Sequence, residues 1–266
     1  EIYLFPYTTL FRSLADLLKI RQHDATAARE IEDIGTIHAG GYRIPVHINR
    51  RALKADLLIG LGNIVPHCDA GFSGGAKILQ PGICDFVTTA ATHGASAFCP
   101  DIPLGLLEGN PCREGMEAVA AKVGLGFILN VVKNCSDEVL GVFAGDFIDA
   151  HRAGAALSAR SFKVDVPERA DVVVVSSSPA DLDYWQAGKA LTASCFAVKE
   201  GGTVILAAPC TEGLAHNHPH LREWLALPHD AILSRLRHTD PEDAEADVIA
   251  AVVLPKIGRA SCRERV

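Results

Sequence analysis

The chain has 266 residues, of which 48% are hydrophobic and 21% charged, with a formal net charge of −7. That balance fits a water-soluble protein and argues against a nucleic-acid surface. No apolar run reaches the ~18 residues of a membrane span. Of the eight cysteines, Cys262 lies in the patternless last ten residues and is set aside, and the other seven form no C-x-x-C pair. Set in apolar surroundings such as "AFCP" and "ILAAPC", they read as buried, reduced thiols of a cytoplasmic protein.

The two ends come first in chain order, because they are related at the nucleotide level. A permitted back-translation of Ile257–Val266, reverse-complemented and read from its third base, spells LFPYTTLFR and opens a Ser codon. That is Leu4–Ser13. Residues 1–13 and 256–266 are therefore expected to be translated adapter flanking a gene fragment, and they are set aside from fold reasoning. Between them, "IPVHI" (44–48) and "ADLLIGLG" (55–62) predict strands, with "NRRAL" as a short turn of helix. Residues 112–124 have helical spacing closed by Gly124. Residues 127–132 and 138–145 predict a strand pair, and "DFIDAHRAGAALSAR" a helix. A boundary is expected near 163–168, where Pro167 and a charged stretch precede a fresh apolar strand at 171–175. A helix over 184–199, a strand over 203–208 and helices within 219–250 follow. Continuous Val/Ile strands alternating with helices predict an α/β fold of parallel sheets covered on both faces.

The segment after strand 55–62, "VPHCDAGFSGGAKILQPG" (65–82), lies where α/β sheets bind ligands. Gly71, Gly74 and Gly75 would let backbone amides approach an anion, and Ser73 adds a hydroxyl donor. Lys77 could neutralise a phosphate or act as a nucleophilic amine. The pattern is neither G-x-x-x-x-G-K-[ST] nor G-x-G-x-x-G. Read alone, the loop is as well explained by a structural turn. His67 and His93, each alone, are better explained as packed or surface histidines than as ligands. Asn110, Pro111 and Arg113 read either as a helix start with a solvated arginine or as a ligand contact. His216, His218, His220 and His229 read as a solvated loop without a metal, and His23, His38 and His47 as structural.

In combination these residues carry more. "GNIVPHCDAGFSGGAKILQPGICDFVTTAATHG" resembles the signature region of the nickel-dependent lactate racemase family. The likeness rests on P-H, A-G-[FY]-S-G-G-x-K, P-G, and a histidine sixteen residues after the lysine. "GVFAGDFIDAHRAG", "SSSPADLDYWQAGKAL" and "KEGGTVILAAPCTEG" extend it over most of the chain. The resemblance implies an α/β protein of two domains. One is an N-terminal Rossmann-like parallel-sheet, cofactor-binding domain (14–165, missing its start). The other is a truncated C-terminal α/β domain (166–255). It implies racemisation of a small 2-hydroxy acid by proton abstraction and hydride transfer to a nickel-pincer mononucleotide. Lys77 would be the covalent attachment point, His93 the nickel ligand and His67 a catalytic histidine suited to proton transfer. Gly71, Ser73, Gly74 and Gly75 would cradle the nucleotide phosphate. Gln186 and Lys189 match the family's Q-x-x-K, with Lys189 fixing the substrate carboxylate, and Trp185 either walls the pocket or packs between domains. Cofactor-synthesis enzymes would be partners; nucleic acid and membrane would not.

The family's substrate arginine and its second catalytic histidine would fall before Leu14, where this chain has adapter-like residues. The expectation is that the parent is an isomerase and this polypeptide inactive. Two rivals are a descendant that binds the nucleotide without chemistry, and an isomerase of a larger hydroxy or sugar acid. A dinucleotide-binding oxidoreductase is disfavoured, because no G-x-G-x-x-G follows a strand.

Overall fold

A computed structural model describes residues 2–3, 19–97, 99, 101–215, 218 and 220–238. His216, most of the two adapter-like ends and the end of the expected helical stretch lie outside them. Strand β1 (Ile2–Tyr3) pairs in parallel with β2 (Ile20–Arg21). Strands β3 (Ile31–Ala39) and β4 (Tyr42–Asn49) form an antiparallel hairpin. Its turn is Gly40–Gly41, both at positive φ, the geometry that matches the twist of the flanking strands. Alternation along β4 buries Ile44, Val46 and Ile48 completely, at roughly 1.5–3 kcal/mol of stabilisation each. They pack beneath α1 (Phe86–Ala97) and α2 (Pro111–Val123) with Met116, Val119 and Ala120.

A three-stranded sheet carries the site. Its order is β5 (Leu58–Asn63), β8 (Leu125–Lys133), β9 (Val139–Gly145). β5 and β8 run parallel, while β9 returns antiparallel to β8. Between β5 and α1 the chain makes a small ladder, β6 (Pro66–His67) with β7 (Gly71–Phe72), and a 3-10 turn over Gly75–Ile78. Helix α3 (Asp149–Phe162) packs on β8 and β9. Further on, β10 (Ala170–Ser176) pairs in parallel with β11 (Val198–Ala207). Between them lie α4 (Tyr184–Ala187) and α5 (Lys189–Ser194). Helices α6 (Leu221–Leu225) and α7 (His229–His238) follow, with Leu221, Trp224 and Ile232 as a separate buried cluster.

The α/β class holds, with three differences. Pairing is mixed, because β8–β9 and β3–β4 are antiparallel connections of neighbours that need no crossover. The expected helix 184–199 is two short ones, interrupted at Gly188 and ended at Cys195 before β11 begins at Val198. Coverage is one-sided among the described residues. Ile59, Leu61, Phe127, Leu129 and Val142 line up on one face of the three-stranded sheet, all exposed. The described cysteines Cys68, Cys84, Cys99, Cys112, Cys135, Cys195 and Cys210 are free thiols, and only Cys135 is exposed. Among the described residues no helix is long and apolar enough to cross a membrane.

Candidate functional site

The site is built on the loop from β6 through the 3-10 turn, and what holds that loop is a set of buried side chains behind it. Five successive carbonyls, 69 to 73, each accept a hydrogen bond from elsewhere. Asn110 Nδ2 donates to Asp69 O at 2.9 Å and Arg113 Nε to Ala70 O at 3.0 Å. The Gly105 amide donates to Gly71 O at 3.0 Å. Arg113 Nη2 donates to Phe72 O, and His151 Nε2 to Ser73 O at 2.9 Å. Asn130 Oδ1 then accepts the Gly75 amide at 2.8 Å.

Arg113, Asn110, Asn130 and His151 are fully buried. Asn110 also caps α2 by accepting from the Arg113 amide, with Pro111 opening the helix. The expected helix start is therefore present, but the arginine is not solvated. Among the described residues it is the largest fully buried side chain, and burial holds its guanidinium down to about 10. Its hydrogen bonds go to carbonyls rather than to a carboxylate. His151 was not singled out by sequence reading. It lies within "GVFAGDFIDAHRAG", and no local spacing distinguishes a histidine that ties a distant loop.

The glycines serve shape. Gly71 has φ +74, and a Cβ there would lie 1.9 Å from Leu106 O. A Cβ on Gly75 would meet the His151 ring at 2.8 Å. The Ser73 hydroxyl donates to Asn63 O at 2.8 Å and accepts from the Val65 amide at 2.9 Å. The amides of Phe72, Ser73, Gly75 and Lys77 are also engaged within the protein. A phosphate cradle resting on Ser73 and Gly75 does not fit these bonds. The positive charge that could hold an anion comes from Lys77 and Lys189.

Around this frame stand the reactive groups. His67 Nδ1 accepts from the amides of Asp69 at 3.2 Å and Ala70 at 3.3 Å. Burial, then the Lys77 and Lys189 cations, hold the ring well below its ordinary value. Lys77, on the 3-10 turn, is lowered by burial and by Lys189, which favours a neutral, nucleophilic amine. His93, on α1, donates from Nδ1 to Thr89 O at 2.8 Å. Lys189 acts electrostatically on His67, Cys68, Lys77 and His93 alike. The structure therefore brings His67, Lys77, His93 and Lys189 into one polar neighbourhood. Lys189 Nζ donates to Gln186 Oε1 at 2.6 Å. Trp185 sits one residue away in sequence but packs with the α6–α7 cluster, its ring stacked on His218 at 4.0 Å. His218 is thus packed on Trp185 rather than simply solvated.

His67, Cys68 and Asp69 form the one close group of three metal-capable donors among the described residues. Its chemistry is that of a hydrogen-bonded pair beside a histidine. Cys68 Sγ donates to Asp69 Oδ2 at 2.9 Å, and burial and the Asp69 charge push the thiol well up. The Nδ1 lone pair of His67 is already taken by two amides. Ser96 Oγ completes the carboxylate's partners at 3.2 Å. A better fit to a metal is His93. Its Nδ1–H is fixed on the Thr89 carbonyl, so its Nε2 lone pair is the free donor, as in a ligating histidine whose other ring nitrogen is hydrogen-bonded.

Fold and site together define an α/β protein organised around a backbone-tied loop bearing a lysine and a histidine, with a second histidine whose Nδ1 is hydrogen-bonded to its own helix. Residues 8–103 match the family model of the lactate racemase N-terminal domain. The chain is 37% identical over 243 residues to a lactate racemase of Thermoanaerobacterium thermosaccharolyticum, covering 87% of this chain and 55% of that protein. It is 32% identical over 244 residues to a lactate racemase of Lactiplantibacillus plantarum, covering 89% and 57%. The solved lactate racemase apoprotein from T. thermosaccharolyticum superposes with a TM-score of 0.80 at 32% identity, covering 92% of this chain and 58% of that one. A Thermotoga maritima structural-genomics protein shares the fold, with a TM-score of 0.66 at 23% identity. The chain belongs to the lactate racemase family, and it spans a little over half the length of the relatives it matches.

Proposed function

We propose that the protein represented by this chain is a racemase of a small 2-hydroxy acid of the lactate type. Residues 14–165 would form its cofactor-binding part and 166–255 the start of a second domain. The observation that carries this reading is the convergence of three groups. A lysine amine is lowered by burial, a histidine has its Nδ1–H tied back so that Nε2 is free, and a lysine from α5 reaches the same neighbourhood. The relatives named lactate racemase support it.

Lys77 and His93 fit a nickel-pincer nucleotide, while Ser73 and Gly75 are not available to its phosphate. Lys77 would tether it through its amine and His93 would hold the metal through Nε2. When bound, that group supplies a hydride acceptor. The protein's own residues do the rest. Lys189, steadied by Gln186, offers a cation to the substrate carboxylate and fixes its orientation. His67 faces the substrate oxygen from a ring whose position is set by the loop backbone. Lys189 keeps the pocket positive, which draws in a small organic anion. The reduced thiols fit a protein of the cytoplasm.

Intact-mass measurement on the chain co-expressed with cofactor-making enzymes tests the assignment. A nucleotide adduct on the unaltered chain that is lost in Lys77→Ala is the expected result. An adduct retained in Lys77→Ala would overturn it.

A further inference from the structure

We infer that His67 and His93 are held in opposite tautomers, so that His67 meets an incoming oxygen as a hydrogen-bond donor while His93 offers a lone pair. The argument is one of valence. A backbone amide can only donate, and two of them, from Asp69 and Ala70, point at His67 Nδ1 at 3.2 and 3.3 Å. Nδ1 must therefore carry a lone pair, and the proton of the neutral ring sits on Nε2. A carbonyl can only accept, and Thr89 O lies 2.8 Å from His93 Nδ1. That nitrogen must carry the proton, and Nε2 is bare.

Neither bond depends on a side chain that can swing away. The Ala70 and Asp69 amides belong to the stretch whose carbonyls are tied by Asn110 and Arg113. Thr89 O belongs to the turn of α1 that precedes His93. Doubly protonating His67 would drive a cation into two amide hydrogens, in a buried site already holding the charges of Lys77 and Lys189. The neutral Nε2–H form is thus the resting form. Asp69 does not reverse this. Its carboxylate lies 3.8 Å from Nδ1, beyond hydrogen-bond reach, and its oxygens are engaged by Cys68 and Ser96.

The consequence deepens the racemase reading and rests on it. The oxygen that suits Nε2–H is an acceptor, such as the carbonyl oxygen of the 2-keto acid that the proposed 2-hydroxy acid becomes on losing its hydroxyl proton and a hydride. There His67 polarises the C=O bond as a neutral donor instead of accepting a proton at rest. The amides of Asp69 and Ala70 are positioning groups that act through the ring.

Two-bond 1H–15N correlation NMR on the chain labelled with 15N-histidine, at neutral pH and without ligand, reads the proton positions directly. The two rings are assigned by signals lost in His67→Asn and His93→Asn. His67→Gln and His93→Gln serve should either first variant fail to fold. We expect Nε2 protonated and Nδ1 bare for His67, and the reverse for His93. A proton on Nδ1 of His67, in either charge state, overturns the inference, as does a bare Nδ1 on His93. Because the measurement involves neither cofactor nor substrate, its failure leaves the racemase reading standing. Failure of the Lys77 adduct would do the opposite.

Discussion

His151 donates its Nε2–H to the carbonyl of Ser73 at 2.9 Å, linking α3 to a loop 78 residues earlier in the chain. Its Nδ1 lies 3.4 Å from Arg152 Nη1, and Arg152 in turn holds Glu117 of α2 at 2.7 and 3.0 Å. The neutral ring is thus satisfied at both nitrogens, and burial holds it down to about 3.

A pH dependence follows from that ring. An unfolded histidine titrates near its ordinary value of 6.5, so above that pH neither state binds the proton and the full stability is present. Below it the unfolded chain takes up a proton that the folded chain refuses. Stability is then lost by about 1.4 kcal/mol per pH unit as pH falls from 6.5 toward 3. Urea midpoints for the chain should drop between pH 7 and pH 5, and His151→Gln should flatten that slope while lowering stability at pH 7.

Arg113 gives a second prediction. Removing its guanidinium takes away the donor to Phe72 O, leaves Ala70 O with the Phe72 amide alone, and opens a cavity. Arg113→Ala should cost about 2–5 kcal/mol. Arg113→Lys keeps the charge but cannot span two carbonyls, so it should recover only part of that loss. Chemical denaturation of the three chains side by side decides this; equal stability of Arg113→Lys and the unaltered chain would contradict the two-carbonyl role.

Two glycines of similar φ separate backbone strain from crowding. Gly105 has φ +77 with nothing near its absent Cβ, whereas Gly71 at φ +74 would place a Cβ against Leu106 O. Gly105→Ala should cost only the left-handed penalty, about 1–2 kcal/mol. Gly71→Ala should cost at least about 1–3 kcal/mol more, since backbone must move. Thermal unfolding of both variants measures the difference.

Thiol reactivity should divide along burial. At pH 7.5 iodoacetamide should label exposed Cys135 first. Cys68, held protonated by burial and by Asp69, and Cys84 and Cys112, raised by burial, should resist until denaturant is added. Asp69→Asn should speed labelling of Cys68. Peptide mass mapping over time reads all four.

Much of the site was legible in the sequence because its reactive groups are clustered in one motif. Lys77, His67 and His93 lie within 27 positions, and the loop does follow a parallel strand. Apolar runs of β character also marked β4 and β5. What escaped were residues whose importance is a matter of distance in the chain. Arg113 read as a solvated helix residue or a ligand contact, because nothing in "NPCRE" reveals that its side chain turns inward to the loop 43 residues back. Helix α1 was missed because Val87, Thr88 and Thr89 look like strand or turn. The Thr88 hydroxyl instead pairs with the backbone of His47, and the Thr89 hydroxyl donates to Asp85 O. Strand β3, with five of its nine residues exposed, lacks the apolar density that betrays a strand. Gly40–Gly41 was its one clear sign.

The tied carbonyls of residues 69–73 also bear on how such a protein can diversify. The side chains that set the loop's course, Asn110, Arg113 and His151, are not the ones proposed to meet ligand. Cys68 takes no part in those ties, and Asp69 enters them only through its carbonyl, its carboxylate being held by Cys68 and Ser96. Inheritance of shape and inheritance of chemistry are therefore carried by separate codons. A lineage can exchange Cys68 or Asp69, and with them the character of the pocket, while the backbone that aims His67 and Lys77 stays where it is.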